Sequence, residues 1–146
     1  MKVDYWQNFT CCSATYIQNM ADYHNLIYYR DPGGLYVNLY VPSEVAWAGP
    51  QGELRVVQQK DYPVTGASNL TIEAAPGALL PIKFRVPGWS RGMSIRVNGA
   101  DTGTACTPGE WAAVSRTWRA SDRIEGRIPL DFRMNCPRRR WSSIAG

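Results

Sequence analysis

The chain has 146 residues, 45% hydrophobic and 19% charged, with six Trp and eight Tyr; this excludes a disordered protein and fits one domain burying roughly 70% of its unfolded surface. Three of the charges behind its net +4 are Arg138, Arg139 and Arg140 near the end, so the basic character is local and gives no basic, aromatic-interleaved face for nucleic acid. No apolar run approaches the ~20 residues of a membrane span, and Met1 to Thr10 is too polar for a signal peptide, so any address would lie before residue 1 and the compartment stays open.

The first element opens on two adjacent cysteines, Cys11 and Cys12. Neighbouring cysteines bridge each other only through a strained ring. Metal ligation or reactive-thiol chemistry therefore stands beside the simpler reading, packing as small hydrophobes. From residue 13 to 28, Ile17, Met20, Ala21, His24, Ile27 and Tyr28 recur at spacings of three and four, one stripe of an amphipathic helix whose N-terminus favours a thiolate. Asp31-Pro32-Gly33-Gly34 is expected to stop it. Cys106 and Cys136 are isolated, so no C-x-x-C pair or disulfide framework emerges.

Beyond residue 34 the period changes to two. Strands are expected over 35–41, ended by Pro42, and over 53–59, 69–74, 80–86, 93–97, 111–118 and 123–130. Pro63 with Gly66, Pro76-Gly77, Pro87-Gly88, Asn98-Gly99 and Pro108-Gly109 punctuate them. Asn98-Gly99 is a hairpin-type signal, although the next strand starts late enough to suggest a longer loop. Roughly seven short strands point to a mainly β chain, a β-sandwich preceded by one α-helix. A single amphipathic helix cannot build a helical domain, so residues 1–33 are expected to be the terminal segment of something larger. Residues 34–133 then form the sandwich and residues 134–146 a basic tail.

Phe9-Thr10-Cys11-Cys12, then Gly34-Leu35-Tyr36-Val37-Asn38-Leu39-Tyr40-Val41-Pro42-Ser43-Glu44 and Trp47, closely resemble the cysteine-dependent β-L-arabinofuranosidases, glycoside hydrolase family 127 and its relatives. The likeness continues through Tyr62-Pro63, Arg85-Val86-Pro87-Gly88-Trp89, Val97-Asn98-Gly99 and Trp118 with Asp122, and leaves out only the tail from Met134. It implies that the leading helix is left from a catalytic (α/α)6 barrel. It also implies that Cys11 is the nucleophile and a zinc ligand, with Cys12 a second zinc ligand. Family members add a Glu and a Cys to the zinc site and use another Glu as acid/base, all upstream of residue 1 on this alignment. The resemblance thus implies the C-terminal part of a retaining hydrolase of L-arabinofuranose-containing glycans, inactive alone and holding no tight zinc by itself. The orphaned helix stripe invites self-association or docking on its own sandwich.

Within the chain, Asp22, His24 and Glu44 are the other chemistry-bearing groups of the first third. A lone helical His is more often packed or solvated than a ligand, and Glu44 reads first as a sandwich-edge or interface carboxylate. Trp89, Trp111, Trp118 and Trp141 are candidate sugar platforms, though such residues more often fill a core. Two rival functions remain: a non-catalytic sandwich that contacts sugar or another domain, and a small zinc or redox protein. The last needs two further ligands, which the spacing does not offer.

Overall fold

A computed structural model describes residues 10–49, 52–59 and 62–130; the side chains of Thr10 to Ala14 and of Tyr16 lie outside that description. Helix α1 (Thr10–Asp22) runs into a 3-10 turn (Tyr23–Leu26). Ten strands follow: β1 (Tyr28–Asp31), β2 (Gly34–Val37), β3 (Ser43–Gly49), β4 (Gly52–Gln58), β5 (Ala67–Ala74), β6 (Leu79–Arg85), β7 (Ser94–Val97), β8 (Ala100–Asp101), β9 (Trp111–Thr117) and β10 (Arg123–Arg127). They form a four-stranded sheet, β1-β2-β6-β9, and a six-stranded sheet, β3-β4-β5-β10-β7-β8. This is the sandwich led by one helix that the sequence predicts. No helix among the described residues is long and apolar enough to cross a membrane.

The strand alternation explains the core. In β6, Leu80, Ile82 and Phe84 are buried while Lys83 and Arg85 turn outward; in β5, Leu70 and Ile72 point in and Asn69 and Thr71 out. Leu35, Val37 and Val114 from the small sheet meet Leu54, Val56, Ile95, Val97 and Ile124 from the large one. Trp118 is 1% exposed and its Nε1–H donates to the Leu80 carbonyl at 2.8 Å. It belongs to the core rather than to any sugar platform, and the bond satisfies the indole's polar end.

The first elements differ from expectation. The α-helix ends at Asp22 rather than continuing to Tyr28, and Asp31 to Gly34 turns a β-hairpin instead of stopping a helix. Tyr28 and Tyr29 pair with Val37 and Tyr36 across that hairpin, and such cross-strand pairs outweigh a weak helical period. Asp31 Oδ1 accepts the Gly33 N–H at 2.7 Å, which fixes the turn. β3 also lies where a connection was expected; its residues alternate half-buried and exposed opposite β4. Asn98 and Gly99, with φ of 52° and 81°, form a two-residue turn into the very short β8 rather than a longer loop.

Three polar groups pin the sandwich internally. Buried Gln58 donates its amide to the carbonyls of Leu39 (3.0 Å) and Val41, on the segment crossing from one sheet to the other. Tyr40 donates to the Arg85 carbonyl at 2.6 Å, and its ring meets Tyr62 edge-on at 5.8 Å. Asp122, buried before β10, accepts from Asn98 Nδ2 at 2.8 Å and from the Arg119 N–H at 2.9 Å, while Asn98 Oδ1 accepts the Arg123 N–H at 2.8 Å.

Burial alone would push the Asp122 carboxyl up, but the bonds from Asn98 and the Arg119 N–H, with the nearby charges of Arg116 and Arg119, hold it below its ordinary value of 3.8. A carboxyl depressed in the folded state stabilises above its unfolded pKa and loses that contribution as pH falls through the folded one. Asp122→Ala should cost about 2–4 kcal/mol, because two donors lose their acceptor. In denaturant titrations the gap between Asp122→Asn and the parent chain should be full near pH 7 and shrink below about pH 4. A gap independent of pH would show that the charge contributes nothing.

A backbone constraint gives a second stability expectation. Gly34 has φ of 132°, and a β-carbon there would sit 2.1 Å from the Pro81 carbonyl oxygen. Gly34→Ala should therefore destabilise by about 3 kcal/mol or more. Thermal unfolding within a degree of the parent would contradict the close approach.

Candidate functional site

Cys11 and Cys12 occupy consecutive positions in the first turn of α1. The orphan N–H groups and positive dipole end of a helix lie in that turn, the backbone setting that lowers a thiol's pKa. Their side chains lie outside the described residues, as do Cys136, the three arginines 138–140 and Trp141.

Further along α1, Ile17 is 67% and Met20 63% exposed, and Tyr23 and Leu26 in the 3-10 turn are exposed too. The stripe is thus split: Ile17 and Met20 are left uncovered by the sandwich of its own chain, whereas Ile27 and Tyr28 are half-buried and Tyr28 packs on the sandwich core. Asp22 and His24 are also exposed. Among the described residues no three His, Cys, Asp or Glu side chains gather where they could hold a metal.

The joint between helix and sheet is specific. Asn38, just past β2, donates its side-chain amide to the Leu26 carbonyl at 2.8 Å and its backbone N–H to the Ile27 carbonyl at 2.9 Å. β2 lies parallel to β6, with Val37 opposite Phe84. The C-terminal end of β6 and the start of β9 therefore lie beside this joint, and Arg85 there places Nη1 3.4 Å from Asn38 Oδ1.

Glu44 proves to be a sheet-surface carboxylate. It accepts from Arg55 Nε at 2.6 Å, and Arg55 also lies 3.3 Å from Glu73, an exposed ion triad across β3, β4 and β5. Trp89, past the end of β6, is 49% exposed, and Trp111, 40% exposed, opens β9 at the end of the small sheet that holds the joint. Sequence reading missed the group around Trp111: Tyr36, Asp31 and Lys83. The alternation of β2 and β6 carried the signal, because it turns Tyr36 and Lys83 to the outer face, where they are register partners.

Two cavities lie elsewhere. One, of about 280 Å³, is apolar and lined by Trp47, Leu54, Pro76, Leu79 and Pro81. The other, of about 610 Å³, is a polar groove on the large sheet lined by Asn69, Thr71, Asn98, Arg123 and Glu125.

A two-sheet sandwich joined through Asn38 to a cysteine-bearing helix defines a β-sandwich module. Residues 34–130 match the family described as β-L-arabinofuranosidase, GH127 middle domain, and the chain belongs to that family. Solved structures agree. A glycoside hydrolase superposes with a TM-score of 0.77 at 27% identity, covering 84% of this chain and 21% of its own. The GH127 β-L-arabinofuranosidase of Geobacillus stearothermophilus T6 gives 0.74 at 26% identity, covering 83% of this chain and 19% of its own. A further GH127 β-arabinofuranosidase, at 20% identity and a TM-score of 0.71, supports the fold. The chain spans about a fifth of the length of these relatives, and no curated protein matches it.

Cys106 sits in the surroundings of a structural thiol. It is half-buried against the core, donates weakly to the Thr104 carbonyl at 3.5 Å, and burial, then the Asp101 charge, raise its pKa above 9.0. At pH 7.5 iodoacetamide should label Cys106 at least about tenfold more slowly than glutathione, with the rate climbing above pH 9. Labelling as fast as a free thiol, mapped by mass spectrometry, would contradict this.

Proposed function

We propose that this chain supplies the cysteine corner and the β-sandwich of a retaining glycoside hydrolase acting on β-L-arabinofuranosides. The observation that carries the reading is the match of residues 34–130 to the GH127 middle domain, with Cys11-Cys12 opening the helix just ahead of it.

The chemistry follows from the residue types. Retaining hydrolysis needs a nucleophile on one face of the anomeric carbon and a proton donor on the other. Cys11 Sγ attacks that carbon as the glycosidic C–O bond breaks, and the leaving oxygen takes its proton from an acid outside this chain. Water, giving a proton back to the same group that acted as acid, then displaces the sulfur, returning the thiolate and a sugar of unchanged anomeric configuration. Cys11 must be deprotonated to attack, and the start of α1 favours that charge.

Cys11 and Cys12 have the donor chemistry that zinc prefers, and both would bind it as thiolates. Bound zinc would keep the two thiols deprotonated at neutral pH. Two cysteines make half of a four-ligand set, so the remaining ligands, like the acid, belong to the helical part of the enzyme.

The isolated chain should therefore show no turnover of an aryl β-L-arabinofuranoside and should lose zinc on dialysis against a weak chelator. Release abolished by Cys11→Ala, or one equivalent of zinc retained and lost in Cys12→Ser, would show a site complete within the chain.

A further inference from the structure

The outer face of the small sheet displays an indole that the core does not use. Trp111, 40% exposed, meets Tyr36 edge-on, with ring centroids 5.0 Å apart and planes at 90°. Tyr36 is held in turn: its hydroxyl donates to Asp31 Oδ2 at 2.8 Å, and Lys83 Nζ donates to that hydroxyl while standing 4.2 Å from the ring centroid. Fixing three side chains around one exposed indole costs rotamer entropy and buries little. Ala113 and Ser115, the next outward positions of β9, are small, which leaves a shelf beside Trp111 with Lys83 across from Ala113. Arg85, the register partner of Trp111, stands at the other edge.

We propose that this shelf is a saccharide-contacting platform, with Trp111 stacked against the C–H face of a sugar ring and Lys83, Arg85 and Asp31 at its hydroxyls. One face of a furanose or pyranose presents C–H groups, slightly positive, that suit the negative face of an indole. The sugar rim presents hydroxyls that need fixed donors and acceptors, which the two cations and the carboxylate provide. Tyr29, the exposed register partner of Tyr36, extends the aromatic face beside these charges, and rings mixed with fixed polar groups suit a sugar, apolar on its faces and polar at its rim. The platform lies at the end of the sheet where Asn38 grips the helix joint, so it would contact glycan beyond the bond being cut. This inference rests on the glycan-active reading above.

One stacked ring gives weak binding, with Kd in the millimolar range. The test is a 1H-15N NMR titration of the full 146-residue chain with an L-arabinofuranose-containing oligosaccharide. Saturable shifts centred on the Trp111 indole N–H are expected. Trp111→Ala should weaken binding at least about tenfold, and Tyr36→Phe, which keeps the ring but removes its tether, by a smaller factor. Trp89→Ala should change nothing, and a retained Trp118 indole resonance will report that each variant is folded. Shifts that do not saturate, binding undiminished in Trp111→Ala, or Trp111 shifts driven by protein concentration alone would each overturn the platform. Saturable binding by a chain whose Cys11 proves catalytically irrelevant would leave the platform standing and remove only the hydrolase reading.

Discussion

The parallel pairing of β2 with β6 sets the layout of the whole molecule. It holds because Gly34 lacks a side chain where the two strands pass: a β-carbon there would overlap the Pro81 carbonyl oxygen. With β2 in that position, its end at Asn38 lies beside Arg85 and the start of β9. The helix joint, Trp111 and the Asn38–Arg85 contact consequently share one end of the sandwich. The chain must then leave the small sheet for the large one, and Gln58 satisfies the carbonyls exposed by that crossing. Buried amides with every partner in place are stabilising and directional; left half-satisfied, the same groups would be costly.

Most residues that carry the family likeness serve the fold. Asn98 and Asp122 bind each other across two turns, Trp118 closes the core on the Leu80 carbonyl, and Tyr40 packs on Tyr62 while holding the end of β6. Gly34 and Asn38 set the strand approach and the helix joint. The family match thus covers the sandwich, residues 34–130, while the groups proposed for chemistry are the paired thiols at the head of α1. Further along the same helix, Ile17 and Met20 are exposed apolar side chains.

The strands were legible in the sequence where one face is buried and the turns carry Gly or Pro. β4, β5, β6, β7, β9 and β10 lie within a few residues of their expected limits, because inward Leu, Ile and Val alternate with outward polar residues. β3 was not legible: Val45 and Trp47 on its inward side are only half-buried and Ala46 and Ala48 on the other are small and apolar, so its two faces contrast little. β1 was hidden by Tyr28 and Ile27 fitting the helical stripe, and only tertiary pairing with β2 decides against it. At the site, the adjacent thiols were visible as residue types. The Asp31–Tyr36–Lys83 chain beneath Trp111 was not, since it depends on register across three strands that no local pattern reveals.

The decisive measurement is covalent labelling of the protein in extracts of the cells that express it. The reagent is a cyclic epoxide in the L-arabinofuranose configuration, with the modified residue mapped by mass spectrometry. A reactive nucleophile in a furanose site opens such an epoxide once and retains it. The expected result is one adduct, on Cys11 Sγ, suppressed by excess β-L-arabinofuranoside. An adduct on Cys12 or Cys106 instead, or an unmodified Cys11 at full reagent, would contradict a nucleophilic role for the first cysteine of the pair.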